Sequence, residues 1–310
     1  MVGVLGVSAS AILVRFSQAP SGVTAAYRLG WTVLLLLPVV LLRCRAELRR
    51  VTARDLVLCG ASGVLLALHF LTWFESLKRT SVASSTVLVS TEVIFTALGF
   101  ALFLHGKIPR LGVWAILLAF GGSALLALSG GGGAGELSGN LLALAAASAA
   151  AVYTLIGRIQ RGHLSTTVYT FLTYLACFLT LLLGTAAAGT PLTGYGGREW
   201  LIGLALAVLC TLLGHSLFSW CLKYLSPSYV SAAKLCEPVF SSLAAIPLFG
   251  EVPGPLQLAG GAAVLGAVLL YTWAEREKNH FRCGPQEVFS FVWAAGGAAF
   301  SFLFCLWLHA

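Results

Sequence analysis

Five ionisable side chains fall inside apolar runs of this sequence: Arg15, Arg28, Glu92, Lys234 and Glu237. A charge at bilayer depth costs about 2.5–3.5 kcal/mol on insertion scales, so each of them needs a physical reason. Lys234 and Glu237 are three residues apart, which places them on one helical face where they can neutralise each other. Ser231 and Ser241 extend that face into a polar stripe expected to point inward. Pro238 removes an amide N–H and clashes with the carbonyl four residues back, that of Lys234. An opened backbone beside an ion pair suits the wall of a solute cavity, and a structural ion pair that sets helix packing is the competing reading. Glu92 has no cation nearby on its own helix, and Ser85 lies two turns before it. It could carry a proton at neutral pH, or pair across the bundle with Arg28 or Lys234. Arg28 lies about five residues into its run and could meet a solute or snorkel, whereas Arg15 is close enough to a helix end to snorkel.

Histidines supply the second set. His69 and Trp73 are four apart, as are His215 and Ser219, with Trp220 adjacent. This symmetric pairing of His with aromatic residues could line a cavity and relay protons, although a hydrogen-bonded packing histidine is the plainer reading. Eight cysteines form no CxxC pair and mostly sit in apolar runs, so they read as small apolar filler and not as a zinc site or disulfide framework. The run Gly130–Gly133 belongs to no GxxxxGK[ST] motif, so no ATP-driven pumping by this chain alone, and no cofactor or metal, is expected.

The elements that must position these residues are membrane helices. Hydrophobic residues make up 58% of the 310, charged residues only 10%, and the mean hydropathy is +0.92. Soluble domains carry about 25% charged residues, and a single soluble core has no room for so much apolar sequence. Apolar runs at 2–17, 23–42, 56–75, 82–104, 111–129, 139–157, 165–187, 200–221, 229–249 and 256–274 each have roughly the length that crosses a ~30 Å hydrocarbon core. Backbone polar groups in lipid must be satisfied internally, so each run is expected to be a helix. An eleventh apolar segment, 288–308, follows the charged stretch Glu275–Arg282 and is long enough to span, which would put the C-terminus outside, with an interfacial position as the alternative. Met1 leads almost directly into an apolar run without a basic leader, so no cleavable signal is expected.

The net charge of +8 is spread between the apolar runs and not over one soluble face, which argues against a nucleic-acid partner. With the N-terminus cytoplasmic, the inside loops hold Arg43, Arg45, Arg49, Arg50, Arg54, Lys107, Arg110, Arg158, Arg161, Lys223, Arg276, Lys278 and Arg282. The outside loops hold only Lys78, Arg79 and Arg198. This bias predicts a cytoplasmic N-terminus in a plasma-membrane protein.

An internal repeat organises the chain. From His69 it reads HFLTWFESLKRTSVASSTVLVSTEVIFTALGFALFLHGKIP, and from His215 HSLFSWCLKYLSPSYVSAAKLCEPVFSSLAAIPLFGEVP. Lys78 matches Lys223, and Glu92 matches Glu237. Five spans per half is an odd number, so the halves must be inverted, an architecture with its solute site near the midplane between repeats. The expected organisation is a first repeat at 1–129, a Gly-rich external linker at 130–138, a second repeat at 139–275 and a C-terminal segment at 276–310.

These segments resemble the drug/metabolite transporter superfamily, in particular its ten-helix members built of two EamA-type domains. The resemblance covers about residues 1–275. It rests on AAYRLGW, HFLTWFESLKRTSVASSTVLVST, GNLLALAAASAAAVYTLIGR and LLGHSLFSWCLKYLSPSYVSAAKLCEPVF, with LFGEVP after it. It implies ten helices, cytoplasmic termini, a central cavity open to one side at a time, and movement of metabolites, amino acids or drugs. The chain departs at Glu92-Val93, where relatives often carry a proline, at Lys234, where many are apolar, and after Glu275.

The expectation is therefore an all-α membrane bundle of two inverted five-helix repeats acting as a secondary transporter, with a small-molecule solute and the lipid bilayer as partners and homo-oligomerisation left open. Its candidate solute- or ion-binding residues are Arg28, His69, Trp73, Glu92, His215, Trp220, Lys234 and Glu237. Mixed charges there would suit a zwitterion such as an amino acid. Two other classes compete. Gly60-Ala61-Ser62-Gly63 matches a GxSG pattern with His69 or His215 as base, but 34 glycines produce such matches by chance. A non-transporting scaffold would not need charges at depth.

Overall fold

The computed structural model describes residues 2–103, 110–129, 134–224, 230, 234 and 236–279. Every regular element among them is a helix. The order is α1 (Val2–Phe16), α2 (Ser21–Arg43), the short α3 (Arg45–Leu48), α4 (Ala53–Arg79), α5 (Val82–Val89), α6 (Glu92–Phe103) and α7 (Arg110–Ser129). There follow α8 (Ala134–Gln160), α9 (Thr166–Ala187), α10 (Gly197–Ala205), a π-helical segment (Leu206–His215), α11 (Ser216–Cys221), α12 (Cys236–Phe249) and α13 (Pro255–Asn279). Among the described residues six stretches are long and apolar enough to cross a membrane: Ser21–Arg43, Ala53–Arg79, Val82–Leu102, Gly135–Gln160, Thr166–Ala187 and Gly197–Cys221. Shorter apolar helices run over Gly6–Phe16, Arg110–Leu126, Glu237–Phe249 and Pro255–Tyr271. The chain is a multi-pass membrane protein. Leu42, Leu102, Leu183 and Leu201 are each more than two-thirds exposed, as side chains that face lipid must be.

Two expected helices are not regular. The run 82–104 breaks at Ser90–Thr91, where the Ser90 and Thr91 hydroxyls donate to the carbonyls of Thr86 and Leu88 at 2.9 and 2.6 Å. The amide of Thr91 bonds to Leu88, three residues back. Hydroxyls that compete for helix carbonyls bend a helix in this way. The run 200–221 holds ten residues of π-helix, where the amide of Ser216 and the hydroxyl of Thr211 both reach carbonyls five residues back. π segments inside α-helices are rare and occur mostly at functional sites. The last five residues of the expected linker, 134–138, are already helical. Ser231 and the segment 288–308 lie outside the described residues.

α4 packs between α8 and α9, α2 lies on α9 and α10, α1 lies on the π segment and α12, and α7 pairs with α13. Phe70, Phe74, Leu66, Leu77, Tyr174 and Leu181 are fully buried around α4. Small residues allow the close approaches. A Cβ on Gly122 would stand 2.9 Å from the Gly260 carbonyl, and one on Gly260 equally close to that of Gly122. Gly261 and Gly266, which also read as packing glycines, have no such constraint. A Cβ on Gly63 would stand 2.5–2.8 Å from Ala176, Thr173 and Cys177 of α9, two of those contacts being backbone. Gly63→Ala is therefore expected to cost about 2 kcal/mol, measured as a lower thermal midpoint in detergent. An unchanged midpoint would show a looser α4–α9 contact.

Direction follows from end contacts. Asp55, at the start of α4, accepts from Gln160, at the end of α8, at 3.2 Å, and Arg79, at the end of α4, reaches Ser138 near the start of α8. Arg158, near the end of α8, donates to the carbonyl of Leu222 at 2.6 Å, just past α11. α4 and α11, which carry the matching sequence stretches, thus run in opposite directions.

Candidate functional site

The breaks in the helices place the acids. Glu92 and Glu237 both stand in the first turn of a half-helix, α6 and α12, where the positive end of the helix dipole favours an anion. Lys234 precedes α12 and reaches across to Glu92, with Nζ 2.9 and 3.1 Å from its two carboxylate oxygens. Thr154 of α8 donates to the same carboxylate at 2.9 Å. The expected Lys234–Glu237 pair is not formed. Lys234 stands outside α12, and its ammonium is turned to Glu92 of the other half of the chain. Pro238 falls in the first turn of α12, where an absent amide breaks nothing. Ser241, one turn on from Glu237, donates to the Ser8 carbonyl of α1 at 3.0 Å. Of the two alternatives for Glu92, the cross-bundle pair is the one formed. Glu237 is buried without an ion pair among the described residues.

Arg28 is 0% exposed. It does not snorkel. Its Nε donates to Thr211 of the π segment at 2.7 Å and its Nη1 to Ser10 of α1 at 3.2 Å, while the guanidinium lies 4.2 Å over the ring of Phe70. Nη2 has no hydrogen-bond partner among the described residues. Two neutral hydroxyls and a ring face hold this cation, and no carboxylate pairs with it among the described residues. That arrangement leaves a planar donor edge suited to an oxyanion.

The histidines meet between these charges. The rings of His69 and His215 are 6.4 Å apart, and His215 packs edge-on to Phe70 at 5.5 Å. His69 Nδ1 lies 3.0 Å from the Ala146 carbonyl. A carbonyl only accepts, so Nδ1 donates, and Nε2 of the neutral ring is left as an acceptor. Trp73 stacks on His69 at 5.8 Å and is buried, with its indole N–H unpartnered among the described residues. Arg28, Lys234 and Glu92 each lie within electrostatic reach of Glu237. Seven of the eight candidate residues thus gather in one cluster. Trp220 lies on the ring of Tyr224 at 5.0 Å, by the end of α11.

Sequence reasoning overlooked the hydroxyls Ser10, Thr154 and Thr211, small polar residues inside apolar runs. It also misjudged Arg15. This side chain pairs with Glu251 of the LFGEVP motif, donates to the carbonyls of Leu77 in the last turn of α4 and Thr80 just after it, and does not snorkel freely. The second oxygen of Glu251 accepts from the Val82 amide at 2.8 Å, and Gln257 donates to Ser81 and Ser84 beside it. Arg158 does for the end of α11 what Arg15 does for the end of α4. Ser62 of the GxSG match bonds to Tyr169 at 2.9 Å, and His69 bonds to Ala146, so this match forms no Ser–His pair.

Known proteins share the sequence pattern and the fold of this chain. The profile of the EamA-like transporter family matches residues 1–128 and 137–273. The pseudopaline exporter CntI of Pseudomonas aeruginosa is 24% identical over 207 residues, covering 67% of this chain and 72% of that protein. The probable terminal-alkyne amino-acid exporter of Streptantibioticus cattleyicolor is 28% identical over 233 residues, 72% of this chain and 75% of the relative. The threonine/homoserine exporter RhtA of Escherichia coli is 26% identical over 170 residues, 55% and 57% of the two chains. A solved crystal structure superposes with a TM-score of 0.64 at 18% identity, over 88% of this chain and 95% of the other, a likeness of fold.

Proposed function

Because the chain belongs to the EamA-like transporter family, whose relatives include named exporters, we propose that it exports a small zwitterionic metabolite of amino-acid type by proton-coupled alternating access. The single observation that carries this reading is the buried charge cluster. Arg28 and Glu92 come from the first half of the chain and Lys234 and Glu237 from the second, so relative movement of the halves would remodel the cluster. Two halves of five spans each, inverted and ten in all, are supported by the opposite directions of α4 and α11 and by the equivalent roles of Arg15 and Arg158. In this scheme α5 and α6 form one broken span, α10 to α11 another, and α12 closes a third. The Lys and Arg bias supports a cytoplasmic N-terminus in a plasma-membrane protein.

The division of labour follows from charge. Arg28 Nη2 receives the solute carboxylate, Glu237 and the His69 Nε2 lone pair face the ammonium, and Glu237 carries the coupling proton. Aromatic faces of Phe70, Trp73 and His215 bound the site. Thr211 and Ser10 hold Arg28 in place.

Purified protein in liposomes should take up labelled members of an amino-acid and metabolite panel when a pH gradient is imposed. Glu237→Gln should abolish the gradient dependence while leaving slow downhill flux. Gradient-dependent uptake that survives Glu237→Gln and Glu92→Gln alike would remove the proton-coupling role. Absence of flux for the whole panel in folded protein would remove the zwitterion reading.

A further inference from the structure

At one end of the bundle the structure holds five guanidiniums that the transport reading uses only to orient the chain. Arg43 closes α2, Arg45 and Arg49 lie in and just after α3, Arg50 follows, and Arg54 stands in the first turn of α4. All five are exposed, and none has an ion pair among the described residues. Two carboxylates are close in sequence, and both are turned inward. Glu47 accepts from the Ser165 amide at the start of α9 at 2.6 Å. Asp55 caps α4 through Thr52 and accepts from Gln160 and His163. Leu48 and Val51 pack on the core and anchor the segment, so it presents positive charge on its outer side. Arg45 and Arg49 are four apart on one turn, a like-charge spacing that disfavours the helix unless an anion lies between them.

The depth of this patch is set by its apolar neighbours. Leu41 and Leu42 are exposed immediately before Arg43, and Leu56 and Val57 immediately after Arg54. Side chains that face hydrocarbon thus stop where the arginines begin, which puts the guanidiniums at headgroup level. Arginine clusters next to a spanning helix attract anionic lipid, and the planar fork of each matches a phosphate diester in two-pronged fashion. We propose that the segment Arg43–Arg54 is a binding site for anionic phospholipid headgroups, which serve as the missing counter-ions of α3 and its flanking turns. This assignment is independent of the transported solute.

The test is lipid titration of the purified full-length chain by native mass spectrometry, with phosphatidylglycerol against phosphatidylcholine of the same acyl chains. Wild-type protein should bind phosphatidylglycerol tighter by about tenfold or more, and millimolar inorganic phosphate should not displace it. The triple variant Arg45→Gln, Arg49→Gln, Arg50→Gln should lose that preference. Arg79→Gln with Arg198→Gln, at the opposite end, should keep it. Should the glutamine triple fail to fold, the lysine triple at the same positions decides. It keeps the charge that orients the chain but loses the fork, so a fall of about threefold is expected. Equal binding of the two lipids by wild type, or an unchanged preference in the deciding variant, overturns the proposal. Displacement by inorganic phosphate would also overturn it, by reducing the patch to a free-anion site.

Discussion

Lys234→Met is expected to destabilise the folded protein by about 3 kcal/mol, while Lys234→Met combined with Glu92→Gln restores most of that loss. The single change takes the ammonium from the buried Glu92 carboxylate, which keeps the Thr154 hydroxyl among its donors. A carboxylate that loses its ammonium partner in a low-dielectric interior is the costly outcome. The low end of the usual range applies because the Lys234 side chain keeps 16% of its surface exposed. In the double variant no charge is stranded, and the amide oxygen introduced by Glu92→Gln can still accept from Thr154. Thermal or denaturant unfolding of the four proteins of this cycle in one detergent measures the coupling. A single variant as stable as wild type would mean that Lys234 does not neutralise Glu92. A double variant no better than the single would place the loss in packing. The same cycle in a flux assay separates stability from transport, since repair of folding without repair of uptake assigns the pair to solute handling.

Arg28→Met has the opposite sign for stability. A fully buried guanidinium held by two neutral hydroxyls and a ring face carries a desolvation cost that no ion pair among the described residues offsets, and Nη2 adds an unmade hydrogen bond. Methionine fills much of the same volume and removes both costs, so the thermal midpoint is expected to rise. Uptake of a carboxylate solute should fall by a factor of about 100 or more, because the solute then meets no cation at that position. Arg28→Lys keeps the charge but not the fork anchored by Thr211 and Ser10, and should recover only part of the activity. A drop in midpoint for Arg28→Met would identify Arg28 as a structural residue and withdraw it from the solute site. Such an exchange of stability for function is the pattern expected where a charge is retained for binding.

Much of the architecture is legible in the residues themselves. In lipid the backbone must satisfy its own hydrogen bonds, so long apolar runs can be read as helices without knowing their neighbours. Matching stretches from His69 and His215 reveal the repeat, and five charges inside apolar runs announce a site because their cost at depth is high. Where reasoning from the residues failed, it assumed regular helices. Thr91 and Ser90 look like ordinary members of an apolar run, yet their hydroxyls break it and turn Glu92 into a helix-start residue. Lys234 and Glu237 look like a pair at helical spacing, yet α12 starts between them. No local signal marks the π register that aims Thr211 at Arg28.

By itself, then, the sequence determined the solvent of this protein, its helical class, its repeat and which side chains had to be explained. Those properties depend on composition and on periodicity along one chain segment. Tertiary structure alone decided the partners: Lys234 with Glu92, Arg28 with Thr211 and Ser10, and Arg15 with Glu251. Each joins residues from different helices or loops, across 142, 183, 18 and 236 positions of sequence respectively. Pairing over such separations is set by how helices cross and where they break, and both are outcomes of packing.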